Sequence, residues 1–316
     1  MTASVGEARR RLPREFIQSL EGSFPPHVAD SILRGMGARR RTTLRVNTLR
    51  WSAADLLGFF RENAVKHERV SWYPDAFVLR DLRERDVETW EAYREGRVYL
   101  QSLSSMMPAL ALDPRPGEQV LDLTAAPGSK TTQMSALMGG QGRILANEMD
   151  SVRAQRLQFN VRLQGCPNVE LRLGRGEKVG QEMPDAFDRV LLDAPCSGEG
   201  RFIVHEPATS RGWSPRTISE CARLQRRLLV SACRCLKPDG VLVYSTCTLN
   251  LEENERAVNW ALHCLPLRVE ALPVSIPGSW QGMARGVDAS LSRALRVFPD
   301  DQREGFFICR MRKTAG

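Results

Sequence analysis

The sequence predicts an α/β fold: a mostly parallel sheet with an antiparallel C-terminal edge, preceded by a small α+β domain. Three observations carry this expectation. From "GEQVLDLTA" onward, short apolar runs alternate with helical patterns, the reading of a parallel sheet covered by helices. At the end, "LRVFP" and "EGFFICRMR" read as two strands joined by the polar turn "DDQRE", an antiparallel pair at a sheet edge. Before about residue 113 the alternation is absent.

In that first part, "EARRRLPREFIQSL" and "HVADSILRGM" read as helices and "TTLRVNTL" as a strand. A helix near Ala53–Asn63 and further short strands follow. The proline-rich "DPRPGE" marks the boundary, giving units 1–113 and 114–316. In the second unit, strands are expected at Gln119–Thr124, Arg143–Asn147, Val169–Leu173, Arg189–Leu192 and Val241–Ser245. Helices are expected at Ser129–Met138, Ser151–Gln164, Pro215–Leu236 and Glu252–His263. Ser214 before Pro215 supplies an N-cap and a first-turn proline. Asn250 followed by Glu253 resembles a capping box for the last helix. Between Pro215 and Leu236, Ile218, Cys221, Leu224, Leu228, Ala232 and Cys235 recur at helical spacing and define one buried face. The antiparallel tail suits a methyltransferase-type sheet better than the wholly parallel sheet of a dehydrogenase.

Composition narrows the class. The 316 residues are 42% hydrophobic and 26% charged, as in an ordinary globular chain. No apolar run approaches the ~20 residues that cross a bilayer, and "MTASVGEARRRLPREF" lacks the apolar stretch of a secretory signal. A cytoplasmic protein without membrane contact is expected. A net charge of +8, with arginine triplets at 9–11 and 39–41, favours a polyanionic partner, nucleic acid first. Eight cysteines without a CxxC pair, and four scattered histidines, form neither a disulfide scaffold nor a metal site.

Ligands of open α/β sheets collect beyond the carboxyl ends of the strands, and four such ends carry chemistry here. "TAAPGSK" is a small-residue turn leading into a helix, suited to an anion. It is not a triphosphate loop, because Ser129 separates Gly128 from Lys130, and Ala125 and Ala126 stand where glycines would be needed. Lys130 opposes the helix dipole and needs a compensating acid or a bound carboxylate. Glu148, about 20 residues beyond the glycine turn, can accept hydrogen bonds from ribose hydroxyls. Asp193 ends a strand and is followed by Ala194-Pro195-Cys196. Cys247 follows the fifth strand and precedes a helix expected near Leu251, whose N-terminal pole would favour the thiolate.

Two thiols beside an aspartate suggest carbon methylation of cytosine. A thiolate adding to carbon 6 makes carbon 5 nucleophilic, and Asp193 hydrogen-bonded at ring nitrogen 3 would stabilise the adduct. Either cysteine could be the nucleophile on this chemistry.

"LDLTAAPGSKTTQMSALM", "LLDAPCSGEG" and "VLVYSTCTLNLEENE" resemble the signature motifs of the Nol/Sun family of RNA (cytosine-5) methyltransferases, the bacterial small-subunit rRNA branch above all. "LRVNTLR", "GRVYLQSLSSMMPALAL", "SPRTISECARLQRRLL" and "VFPDDQREGFFICRMRK" extend the resemblance from about Thr43 to Lys313. It implies a Rossmann-like S-adenosylmethionine-dependent methyltransferase domain; residues 1–113 are expected to help bind RNA, and the chain is expected to act as a monomer. It also implies Cys247 as nucleophile, Cys196 in product release, and Asp193 and Lys130 among the catalytic residues. Thr124, Ala125, Ala126, Pro127, Gly128, Ser129, Lys130, Glu148 and Asp193 would hold the methyl donor. DNA cytosine methyltransferases use the Pro-Cys thiol instead, and their Glu-Asn-Val and Gln-x-Arg-x-Arg motifs are absent. The sequence departs from the family where an acid follows the third strand: "LGRGEK" puts Arg175 there, with Glu177 two residues on. Bacterial relatives continue into a C-terminal RNA-binding domain, whereas this sequence stops after its last strand.

Overall fold

The computed structural model describes residues 3–283 and 285–314; two residues at each end of the chain, and Ala284, lie outside it. Three helices come first, α1 (Val5–Arg11), α2 (Arg14–Ser23) and α3 (Pro26–Gly37). A four-stranded antiparallel sheet follows: β1 (Thr42–Val46), β2 (His67–Arg69), β3 (Ala76–Leu79) and β4 (Val98–Leu100), in the order β2-β3-β1-β4. Helix α4 (Ala53–Glu62) covers it, started by a capping box between Ser52 and Asp55. Two single turns, α5 (Glu84–Val87) and α6 (Glu91–Arg94), lead to its last strand.

Helix α7 (Leu103–Leu112) then enters the larger unit. Here β5 (Gln119–Asp122), α8 (Ser129–Leu137), β6 (Arg143–Glu148), α9 (Ser151–Gln164), β7 (Val169–Leu173) and α10 (Gly176–Glu182) alternate. They are followed by β8 (Phe187–Asp193), α11 (Pro215–Cys235), β9 (Leu236–Thr246), α12 (Glu255–Cys264), β10 (Leu267–Glu270), β11 (Trp280–Gln281), β12 (Leu295–Val297) and β13 (Phe306–Lys313). Strands β5 to β9 are parallel in the order β9-β8-β5-β6-β7. β13 lies antiparallel on β9, with β12 and β10 on its far side. The expected α/β class and the antiparallel C-terminal edge both hold. Successive strand residues serve opposite faces, as the pleat requires: Leu121 and Leu192 join a core with Leu228 and Leu229 of α11, whereas Val120 and Leu191 join one with Met107 and Leu112 of α7. Among the described residues, no helix is long and apolar enough to cross a membrane.

Two local expectations need correction. The last long helix starts at Glu255, not Glu252, and Asn250 and Glu253 form no capping box. Their side chains are engaged elsewhere: Glu253 accepts from Ser197, and Asn250 donates to Glu199. β9 begins at Leu236, immediately after α11, because the strand pairs with β8 at Phe187 before its bulge. α1–α3 do not cover the small sheet; their core includes Phe202, Val204, Leu249 and Phe298 of the larger unit, with Phe16 edge-on to Phe202 at 5.0 Å.

Candidate active site

Order reverses between β5 and its two neighbours, β6 and β8, and this is where an open sheet offers a ligand crevice. A cleft of about 810 Å³ lies there, lined by Thr124, Lys130, Glu148, Asp193, Cys196 and Cys247 among others. All four strand ends singled out in the sequence therefore meet in one place.

The turn after β5 is clamped from every side. Ala125 N–H donates to Asn147 O at 2.9 Å, Thr124 Oγ1 to Asp193 O at 2.8 Å, and Gly128 N–H to Ala125 O at 2.8 Å. Gly128 has φ +105°, a conformation that calls for glycine, and a Cβ there would sit 2.9 Å from Leu157 Cδ1, which would have to move aside. Arg153 and Asn160 of α9 donate to the carbonyls of Ala126 and Pro127, each at 2.8 Å. From the small sheet, buried Arg45 donates to Thr132 Oγ1 at 2.8 Å and Ser129 O at 3.2 Å. Beneath the turn, Asp122 is fully buried and accepts from Thr131 Oγ1 at 2.6 Å. Burial raises its carboxyl to about 7, against the opposing pull of Thr131 and Lys130.

Lys130, the cation that opposed the helix dipole, has its compensating acid. Its Nζ lies 2.7 Å from Asp193 Oδ2, donates to Ser105 Oγ of α7 at 2.9 Å, and sits 5.6 Å from the Phe306 ring centroid. Burial pulls the ammonium down, but the Asp193 carboxylate outweighs it and holds Lys130 above its ordinary value. Asp193 Oδ1 accepts from Ser245 Oγ at 2.7 Å, so both carboxylate oxygens are occupied.

The thiols of Cys196 and Cys247 lie 3.4 Å apart as free cysteines. The hydrogen bond to Cys247, then burial and the charges of Cys247, Glu253 and Asp193, raise Cys196 well above an ordinary thiol. The expected helix pole at Cys247 is not there, because α12 starts only at Glu255. The positive charge facing Cys247 is Lys130, which responds to it electrostatically. Glu253 is fully buried and braces the loop of Cys196: Ser197 N–H donates to it at 2.9 Å and Gln225 Nε2 at 3.0 Å. Gln225 also donates to Pro195 O at 2.9 Å.

Glu148 is 3% exposed, and its Oε1 accepts from the amides of Met149 and Asp150 at 2.9 and 3.0 Å. Among the described residues, Oε2 has only Arg153, at 3.6 Å. Arg175, at the position where an acid was expected, pairs with Glu177 at 3.2 Å, and it is Glu177 that lines the cleft. Burial pushes Glu177 up, but its own amide and the two arginines 175 and 227 bring it below the usual carboxylate range. Ser105, Ser245 and Glu253 were not singled out as site residues in the sequence. Each lies inside a quoted motif, but nothing in single-residue spacing distinguishes it from its neighbours.

Comparisons with known proteins find a family and relatives for the chain. A family model described as 16S rRNA methyltransferase RsmB/F matches residues 109–312. A second, the Methyltr_RsmF/B-like ferredoxin-like domain, matches residues 12–85. Ribosomal RNA small subunit methyltransferase F of Klebsiella pneumoniae (strain 342) is 40% identical over 315 residues, covering 96% of this chain. The chain spans 64% of that relative's own length. The solved structure of a methyltransferase homolog protein from Pyrococcus horikoshii is 33% identical, with a TM-score of 0.78 over 90% of each chain. NSun6 from Pyrococcus horikoshii, solved with SFG, shares the fold at 22% identity: its TM-score is 0.85 over 98% of this chain and 100% of its own.

Proposed function

The chain belongs to the RsmB/F family of 16S rRNA methyltransferases, and from that premise we propose that it is an S-adenosylmethionine-dependent RNA (cytosine-5) methyltransferase acting on small-subunit ribosomal RNA. The observation that carries this reading is the pair of free thiols 3.4 Å apart, beside the Lys130–Asp193 ion pair, in one cleft.

The residues present fit the methyl donor. Glu148 is buried with one carboxylate oxygen free of close donors, as ribose hydroxyls require. The cleft of about 810 Å³ lies within the ~300–1,000 Å³ of small-molecule sites. Thr124 to Lys130, Glu148 and Asp193 would hold S-adenosylmethionine, which supplies an electrophilic methyl group when bound.

Cys247 adds as thiolate to carbon 6 of the target cytosine, and the electron pair displaced onto the ring makes carbon 5 nucleophilic. Lys130, kept charged by Asp193, lines the same cleft as Cys247 and stabilises the negative charge that develops on the ring. The Lys130–Asp193 pair lends ring nitrogen 3 a proton in the adduct and takes it back as Cys247 leaves. Cys196 starts as a neutral thiol, since two sulfur anions at 3.4 Å repel strongly. Once Cys247 is bonded to carbon 6 it is a neutral thioether and a weak acceptor, so the hydrogen bond that chiefly raises Cys196 weakens, and Cys196 can release its proton to water. The resulting thiolate takes the proton from carbon 5. That C–H electron pair restores the carbon 5–carbon 6 double bond and expels Cys247 as thiolate.

Residues 1–113 would help to grip RNA and 114–316 carry the chemistry, in a monomeric cytoplasmic enzyme. The test is a pair of variants incubated with S-adenosylmethionine and RNA, read by methyl transfer and by denaturing gels for a protein–RNA adduct. Cys247→Ser should lose at least about 10³-fold in turnover and form no adduct. Cys196→Ser should accumulate the adduct. Wild-type turnover in Cys196→Ser, with nothing trapped, would remove that residue from product release.

A further inference from the structure

The outer face of α9 has no part in the chemistry above. Its inner face buries Leu157, Val161 and Gln164. On the opposite side Val152, Gln155, Arg156 and Phe159 recur at the i, i+3, i+4 and i+7 spacing that aligns side chains along one helical face. They line a groove of about 410 Å³ with Pro127 and Asn160. Phe159 is 64% exposed and Val152 57%.

The charge of this face has one sign. α9 carries Arg153, Arg156 and Arg162 and no acidic residue. Arg153 is engaged with Ala126 O and Glu148, whereas no acid lines the groove beside Arg156. Pro127 borders both this groove and the catalytic cleft, so one opens at the lip of the other. Toward the far end of the helix, Arg162 shares a second depression of about 560 Å³ with Arg50, Arg97 and Glu95; the acid pairs with Arg97 at 2.5 Å, so the depression keeps a net positive charge. Basic charge therefore runs from the cleft toward the small sheet.

We propose that this face of α9 is a docking track for single-stranded RNA, with Phe159 stacking a base of the target strand outside the cleft and Arg156 meeting its phosphate. The inference rests on the reading of the chain as an RNA methyltransferase. Aromatic platforms flanked by arginine bind single strands because every base has a π-face and every nucleotide a phosphate. Phenylalanine and arginine are enriched in protein–protein contacts as well; what favours the polyanion is that α9 carries three arginines and no acid, on a chain of net charge +8.

The experiment is fluorescence anisotropy of the whole chain with a fluorescein-labelled single-stranded RNA containing cytosine, over a salt series. Phe159→Ala should weaken binding roughly tenfold. Arg156→Ala should reduce the slope of log K against log salt by about 0.7. Both side chains are exposed, so thermal unfolding and S-adenosylmethionine affinity should stay at wild-type values. If the wild type binds and methylates RNA while both variants match it in affinity and slope, the inference fails alone. If the wild type binds no RNA, the inference falls with the reading beneath it. Sedimentation showing wild-type self-association that Phe159→Ala abolishes, with RNA affinity intact, would make this a protein interface and overturn the track.

Discussion

Asp122 offers a direct measure of how the cofactor turn is electrostatically built. It is fully buried under that turn, and its carboxyl rises from 3.8 to about 7. A carboxyl raised in the folded state binds its proton more tightly there than in the unfolded chain. Its stabilising effect is complete below pH 3.8 and is lost as pH rises through about 7. At ~1.4 kcal/mol per tenfold in proton affinity, the gap is worth about 4 kcal/mol, of which about 3 kcal/mol falls between pH 5 and pH 8. Asp122→Asn removes the titration but keeps the shape and one acceptor for Thr131. The new amide faces the donor that Asp122 accepts from at Thr124, a mismatch of roughly 1–3 kcal/mol that does not depend on pH. Urea unfolding at pH 5 and pH 8 should therefore show the variant gaining about 3 kcal/mol on the wild type across the interval. A difference between the two proteins that stays constant with pH would refute the reasoning, because Asp122 would then be titrating alike in both states.

Two further substitutions test other parts of the frame. Arg296 and Glu255 are an ion pair buried to within 2% of full enclosure, tying β12 to the first turn of α12, and Arg296 also donates to Leu249 O at 3.0 Å. Glu255→Ala strands a buried guanidinium and should lower the unfolding free energy by about 3–5 kcal/mol in urea; a loss under about 1 kcal/mol would show that water replaces the carboxylate. Gly128→Ala combines a positive φ with a Cβ 2.9 Å from Leu157, so it should destabilise by about 1–2 kcal/mol and weaken S-adenosylmethionine binding in calorimetry. Unchanged cofactor affinity would take the turn's shape out of recognition.

The large sheet was legible because its strands and helices differ in period. α9 follows its expected bounds, Ser151 to Gln164, since Asp150 caps it and Gly165 ends it in the left-handed conformation. α11 obeys its Ser214-Pro215 signal: the Ser214 side chain accepts from Thr217 N–H. α7 was not legible as a helix of the larger unit. Nearly all its residues are buried, so its sequence is apolar on every side and shows no period. The chemistry at the strand ends could be collected from the sequence, but its pairing could not. Lys130 needed an acid, yet only the sheet order puts β8 beside β5 and so brings Asp193 to it. The start of α12 was misread because Glu253 makes tertiary bonds to Ser197 and Gln225 that outcompete a local cap.

The placement of the first three helices changes how a shortened protein would behave. They shelter Phe202 and Val204, on the segment that leaves the Cys196 loop, and Leu249, just past Cys247, and Met36 O accepts from Val204 N–H at 3.0 Å. Cutting the chain after Gly37 would uncover those side chains and loosen both cysteine-bearing segments together. An N-terminal amputation would therefore silence the thiols as surely as mutating them, whatever those helices contribute to holding a substrate.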